Sequence, residues 1–173
     1  MKSPMLPADH QTAMRRVLVL GRGGDPAALP ELIGMLRTPS NEVQRLVVSA
    51  IGKLAEFGAD AETAVAALAP LAMKARHPQT QQYAIRALKK YAGAARAHVQ
   101  DLRDLARNPA QRDYVRAAAA TTADAIAQAV ADVSTQVKHR CQRCNAQVSA
   151  EEHARSQQAF QRVYCDRCFD EVF

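Results

Sequence analysis

The sequence predicts an all-α protein that ends in a small cysteine-bearing module. Three observations lead there. Apolar residues recur every three or four positions through about residue 135, the period of helices that bury one face. No window before the cysteines shows the apolar/polar alternation of a strand. All four cysteines stand near the C-terminus as two Cys-x-x-Cys pairs, Cys141/Cys144 and Cys165/Cys168, with 20 residues between the pairs. The expected division is a helical domain over 1–135 and a metal-binding module over 138–173.

Composition supports the same class. The chain has 173 residues, 48% apolar, but only 5% aromatic and without Trp; small residues of high helix propensity favour closely packed helices. Its net charge of +6 permits contact with nucleic acid or acidic proteins. Neither an apolar run of about 18 residues nor an uninterrupted apolar leader is present, so no membrane segment is expected. Thiols confined to metal-type spacing fit a reducing, cytoplasmic setting.

Taken in order, Pro7 to Leu20 reads as a first helix with Asp9 as its cap, stopped by Gly21-Arg22-Gly23-Gly24. Asp25-Pro26 restarts helix, because Asp caps and Pro is tolerated in a first turn. Ala27 to Leu36 follows, with Leu29, Leu32, Ile33 and Leu36 on one stripe. Next comes Glu42 to Glu56, burying Leu46, Val47, Ala50, Ile51 and Leu54. A fourth helix, Ala61 to about Ala75, turns Val65, Leu68, Leu71 and Ala72 inward, with Pro70 as a candidate kink. Gln79 to Ala92 buries Ala84, Ala87, Leu88 and Tyr91 and leaves Arg86, Lys89 and Lys90 outside. Ala94 to Arg107 buries Val99, Leu102 and Leu105 or Ala106. Ala110 to Val133 is the longest, with Val115, Ala118, Thr122, Ala125 or Ile126, Ala129 and Val133 inward.

An internal repetition runs through these helices. Glu42–Ala55 superimposes on Gln79–Ala92 at an offset of 37, pairing Leu46 with Tyr83, Ala50 with Ala87, Ile51 with Leu88 and Leu54 with Tyr91. Pro78–Ala87 superimposes on Pro109–Ala118 at an offset of 31, pairing Tyr83 with Tyr114. A unit of this size cannot bury its stripe alone, so neighbouring units must stack. The stretch from Arg16 through Leu20-Gly-Arg-Gly-Gly-Asp-Pro26 to Ser40, continued by Glu42 to Leu54, resembles the HEAT-like repeats of bacterial proteins. The likeness is clear over about 14–56 and looser from 57 to 135. It implies an α-α superhelix, or solenoid, whose second helices line a concave partner-binding face. It implies no single activity, since such repeats serve scaffolds, lyases and glycosylases alike.

Ser134 to Arg140 forms a polar link into the first cysteine pair. Two Cys-x-x-Cys pairs at this separation match a tetrahedral zinc site, with Cys141, Cys144, Cys165 and Cys168 as four thiolates in a closed shell, hence a structural Zn²⁺. A dithiol redox pair and an iron centre are the competing readings. Asn145 falls where a knuckle turn needs left-handed backbone, and Ser149-Ala-Glu-Glu152 has capping-box spacing for a short helix to about Gln158. Phe160 to Tyr164 alternates and reads as a strand; Cys165 to Phe173 reads as a final helical turn. Val163-Tyr-Cys-Asp-Arg-Cys-Phe169 resembles the second half of bacterial zinc-ribbon and treble-clef modules. Val148, Phe160, Val163, Tyr164, Phe169 and Phe173 are too few to hold this module without metal. His139 and His153 read as surface residues rather than ligands.

Charge supplies the other signal. No acidic residue lies between Glu62 and Asp101, while Lys74, Arg76, Arg86, Lys89, Lys90 and Arg96 do; these six are the candidate contacts to phosphates or an acidic partner. Arg103, Arg107, Arg112 and Arg116 have Asp101, Asp104 and Asp113 beside them as partners. Arg143 and Arg167 either meet an acidic partner or offset the charge of four thiolates. Gly21-Arg22-Gly23-Gly24 is no phosphate loop, because helix precedes it and no Lys-Ser/Thr follows. No nucleophile and base assemble, so the expected function is non-catalytic: a scaffold that binds a protein partner through its helical groove and zinc module. The alternative is a nucleic-acid-binding protein using the basic face over 74–96, and after it an accessory to a lyase or other enzyme.

Overall fold

In the computed structural model, residues 7–136 and 139–171 are described. The side chains of Val133 and Phe160, the link residues Val137 and Lys138, and Val172 and Phe173, all given places above, lie outside them, as do Met1 to Leu6. The chain divides after Val130 into two compact units.

The first unit is helical because its stripes are apolar and its helix starts are capped. In chain order it contains α1 (Pro7–Gly23), a 3-10 turn (Pro26–Ala28), α2 (Leu29–Met35), α3 (Asn41–Leu54), a 3-10 turn (Ala55–Phe57), α4 (Ala61–Lys74), α5 (Pro78–Lys90), α6 (Ala92–Ala95), a 3-10 turn (Arg96–His98), α7 (Val99–Arg107) and the start of α8 (Asp113–Gln136). Side-chain caps set three of the starts: Asp25 accepts from Ala27 N–H, Ser40 from Val43 N–H at 3.3 Å and Asp60 from Thr63 N–H at 2.8 Å. Each satisfies a backbone donor that the helix itself leaves unpaired. α3 packs against α1, α2 and α5, and α5 also packs against α4. Leu32, Ile51, Leu54, Leu68, Ile85, Leu88, Leu102 and Ile126 are fully buried in one continuous core.

Several expected boundaries move, each for a local reason. α1 does not stop at Gly21 but runs to Gly23. Gly21 is instead a contact residue: a Cβ there would lie 2.9 Å from Ala50 Cβ, so its absence lets α1 approach α3. Gly24, at φ 64°, takes the left-handed conformation that ends the helix. Gly52 and Ala87 repeat the close approach between α3 and α5, where an added Cβ would come within 3.1 Å of Ala87 Cβ. The chain leaves α5 at Tyr91 rather than near Gly93: Tyr91 opens to φ −113°, ψ 39°, and its buried hydroxyl donates to Ile51 C=O at 2.6 Å. The single helix expected over 94–107 is divided by the 3-10 turn at Arg96–His98. α8 begins at Asp113 because Asn108 closes a turn, its side chain accepting from Ala110 N–H at 3.0 Å and its carbonyl from Gln111 N–H at 3.1 Å.

Expected core positions fall inward in the main. Ala84, Ala87, Leu88 and Tyr91 are buried, as are Val47, Ala50, Ile51 and Leu54; Leu46, Leu71 and Val99 are only partly covered. Two buried-end carbonyls find glutamines. Gln44 donates to Leu36 C=O at 2.9 Å, just past α2, and Gln81 donates to Ala72 C=O at 3.1 Å, near the end of α4.

The second unit contains the end of α8, a two-stranded antiparallel ribbon, β1 (His139–Arg140) with β2 (Gln147–Val148), then α9 (Ala150–Phe160) and α10 (Asp166–Asp170). His139 pairs with Val148 and Arg140 with Gln147. The strand expected over 160–164 is absent: Phe160 ends α9 and Gln161 turns left-handed at φ 56°. The backbone beyond it bonds elsewhere. Tyr164 N–H donates to Ser156 Oγ at 2.8 Å, and Val163 C=O accepts from Gln142 N–H at 2.8 Å.

Candidate metal centre

Each cysteine pair sits on a short turn that aims its sulfurs at the same point. In the first, the chain leaves β1 at Cys141, whose N–H donates to Ala146 C=O at 2.8 Å while its own C=O accepts from Asn145 N–H at 2.9 Å. Asn145 holds the left-handed conformation expected of it, φ 59°. In the second, Cys165 is the residue before α10 and Cys168 lies one turn along that helix. The bond from Gln142 N–H to Val163 C=O joins the two turns directly. The candidate ligand atoms of Cys141, Cys144, Cys165 and Cys168 all lie within 4.8 Å of one another, and the Cys144 and Cys165 sulfurs are 3.6 Å apart.

This geometry fits a metal. Four thiolates at about 2.3 Å from a tetrahedral ion stand roughly 3.8 Å from each other, which the observed cluster approaches. Cys141, Cys165 and Cys168 are buried and Cys144 is exposed, and none is in a disulfide.

The thiols are electrostatically unequal. Burial opposes ionisation of Cys141, yet the backbone N–H groups of Cys144, Cys165 and Arg143 outweigh it and bring that thiol down to about 6. For Cys165 the N–H of Cys168 favours the thiolate, but burial and the neighbouring sulfurs of Cys144 and Cys141 leave the thiol above its ordinary value. Cys168 is pushed up to about 12, first by burial and then by the sulfurs around it. One thiolate is favoured here and further ones repel it. A bound cation reverses that balance, because it supplies the charge that four thiolates in one place require.

Two residues that the sequence did not mark as part of this site hold it in shape. Ser156, fully buried, donates to Arg162 C=O and accepts from Tyr164 N–H, both at 2.8 Å, fastening α9 to the strand of chain before Cys165. Glu152 completes the expected capping box by accepting from Ser149 N–H at 2.7 Å, and its other oxygen accepts from Asp166 N–H at 3.0 Å, at the start of α10. These N–H groups, Ser149 first and then Asp166, hold its carboxyl below the usual range. Capping-box spacing signalled the first bond; nothing local signalled the second. His139 and His153 are half-buried rather than free at the surface, their rings stacked 3.5 Å apart across β1 and α9. Arg143 and Arg167 both face Glu171, at 3.1 and 3.7 Å, and Arg155 pairs with Asp166 while lying over the Phe169 ring.

The six basic candidates of the helical unit are all exposed but separate into groups. Lys74 ends α4, Arg76 lies in the turn after it, and Arg96 opens the 3-10 turn before α7. Arg86, Lys89 and Lys90 stand together on α5. Lys90 pairs with Glu56 at 2.8 Å. Arg86 and Lys90 line a cavity of about 540 Å³ over α3 and α5, with Gly52, Lys53, Phe57, Tyr83 and Ala87 among its walls. With Lys89 they also line a second, of about 470 Å³, against Tyr114, Ala117 and Thr121 of α8. Lys74, Arg76 and Arg96 line neither. Among the described residues, no helix is long and apolar enough to cross a membrane.

Compared with protein-family models, curated proteins and solved structures, the chain matches none of them.

Proposed function

We propose that this chain is a non-catalytic, protein-binding scaffold: a short HEAT-like stack presents a groove to a partner, and the C-terminal unit folds around one structural zinc ion as a second contact surface. The observation that carries the binding role is the cavity over α3 and α5, lined both by Phe57, Tyr83 and Ala87 and by Lys53, Arg86 and Lys90. Support for the stack comes from roles that recur at the offset of 37 residues. Ser40 and His77 precede α3 and α5, Gln44 and Gln81 bond carbonyls at the ends of α2 and α4, and Ala50 and Ala87 are the small residues against Gly21 and Gly52. The second offset, 31, is less regular, since Pro78 opens α5 whereas Pro109 lies in the turn ahead of α8. Four converging thiols favour zinc, because soft thiolates complete its shell and leave no position for a reacting water. A photo-crosslinker placed at Tyr83, in extract of the source cells at moderate salt, is expected to capture a protein. Capture of nucleic acid alone would contradict the scaffold reading. Metal analysis should give one zinc per chain, and iron would replace that part of the proposal.

A nucleic-acid partner is the second reading, favoured by Arg86 and Lys89, which stand exposed on α5 without an ion pair among the described residues. It requires oligonucleotide affinity that falls steeply with salt.

A further inference from the structure

The cavity over α3 and α5 belongs to a longer strip. A smaller cavity, of about 150 Å³, shares Gly21, Ser49 and Lys53 with it and adds Leu18 and Arg22 from α1. On the other side, the cavity against α8 shares Arg86 and Lys90. The strip therefore crosses α1, α3, α5 and α8 in turn. Packed helices stand about 8–10 Å apart, so four of them span roughly 25–30 Å, the length of a helix of about 18 residues.

Its chemistry is two-sided. Leu18, Phe57, Tyr83 and Tyr114, each at least 40% exposed, offer large apolar surface along it. Arg22, Lys53, Arg86, Lys89 and Lys90 line it against a single carboxylate, Glu56, which is already bonded to Lys90. From this charge and this apolar surface we infer that the strip takes an acidic amphipathic helix of a partner protein, its apolar face against Phe57 and Tyr83 and its carboxylates on Lys53, Arg86 and Lys89. This rests on the scaffold reading and names the chemistry of its partner.

Nucleic acid fits the strip less well. Single strands bind by stacking bases on free aromatic faces. Here the Arg45 guanidinium lies over the Tyr83 ring, 5.9 Å from its centroid, and the Phe57 ring packs so closely on Gly24 that a Cβ there would meet its Cε1 at 2.6 Å. Leucine or phenylalanine side chains need only the apolar edges and the hollow between helices, which is how helix-in-groove recognition works.

The test is fluorescence anisotropy of the zinc-loaded protein with labelled helical peptides of about 18 residues, one with a Leu stripe and Glu elsewhere. Its companions carry Lys for Glu, or Ala for Leu, and a labelled thymidine oligonucleotide is run beside them. The Leu/Glu peptide is expected to bind, and the Lys and Ala companions to bind at least tenfold more weakly. The double variant K53E/R86E should weaken the Leu/Glu peptide at least tenfold and improve the Lys peptide, with helical circular dichroism unchanged; if it lowers the melting temperature, K53Q/R86Q replaces it. Equal binding of the Glu and Lys peptides would overturn the inference, as would equal binding of the Ala peptide. So would an oligonucleotide that binds more tightly and loses affinity in the same variant. If no peptide binds while the Tyr83 crosslinker still captures a protein, the acidic helix is wrong and the scaffold stands.

Discussion

The helical unit and the cysteine unit solve the same problem, holding a chain in one conformation, with different materials. The first spreads its stabilisation over a core that runs from Val17 to Ile126. The second has a buried cluster of Cys141, Val148, Cys165 and Cys168, with Val163 and Tyr164 partly covered beside it. Three of those four buried residues are thiols. Apolar burial contributes about 25 cal/mol per Å², and so small a cluster cannot offset the entropy of ordering the residues around it. The helical unit is therefore vulnerable to changes of volume and the cysteine unit, on the proposed zinc reading, to loss of the ion.

Loss of one cluster cysteine should separate the two units most clearly. Cys168→Ser should abolish stoichiometric zinc binding and unfold the cysteine unit, because structural zinc contributes an apparent ~10 kcal/mol or more in small domains; α3 to α5 should keep their helical signal. Metal analysis and circular dichroism read both results.

Acid should separate the units next. Every proton that returns to a thiolate competes with zinc, so affinity falls as pH falls. The fall steepens below about 6, where Cys141 is also protonated in the metal-free unit. Glu152 behaves differently. Its lowered pKa gives a contribution that is complete above the ordinary carboxylate range and lost only as pH drops through the lowered value. Zinc release followed from pH 7 to 5 should therefore precede loss of the Glu152 bridge. Far-ultraviolet ellipticity of the helical unit should persist through that window.

Within the helical unit, Leu88→Ala removes a fully buried side chain and should cost about 2–5 kcal/mol, read by urea unfolding, with zinc content unchanged. Gly21→Ala sharpens a smaller point. Its Cβ would meet Ala50 Cβ at 2.9 Å, so α1 and α3 must separate, at about 1–3 kcal/mol. A neutral or stabilising result would show that α1 and α3 accommodate the methyl and that their approach does not require glycine at position 21.

Much of this contrast was legible in the chain. The cysteine spacing marked the cluster, Ser149 and Glu152 marked a helix start, and the 3.6-residue stripes marked the core, because each signal is local and periodic. The misses are contacts between distant residues. Gly21 read as a turn because glycine serves both turning and close approach, and only Ala50, 29 residues away, decides which. The alternation of Phe160 to Tyr164 imitated a strand, yet among the described residues no strand pairs with it; Ser156 and Gln142 take its backbone bonds instead. Gln44 and Gln81 carry no local signal of their roles, because the carbonyls they serve, Leu36 and Ala72, lie at the ends of the preceding helices. The second bond of Glu152 depends on α10 arriving beside α9, which the cysteine cluster itself brings about.

Hydrogen exchange read by mass spectrometry, with and without a zinc chelator, tests the two-unit account most directly. Chelation is expected to strip protection from residues 139–171 while α3, α4 and α5 stay protected. Protection of α9 and the cysteine turns that survives complete removal of metal would contradict it, and so would collapse of both units together.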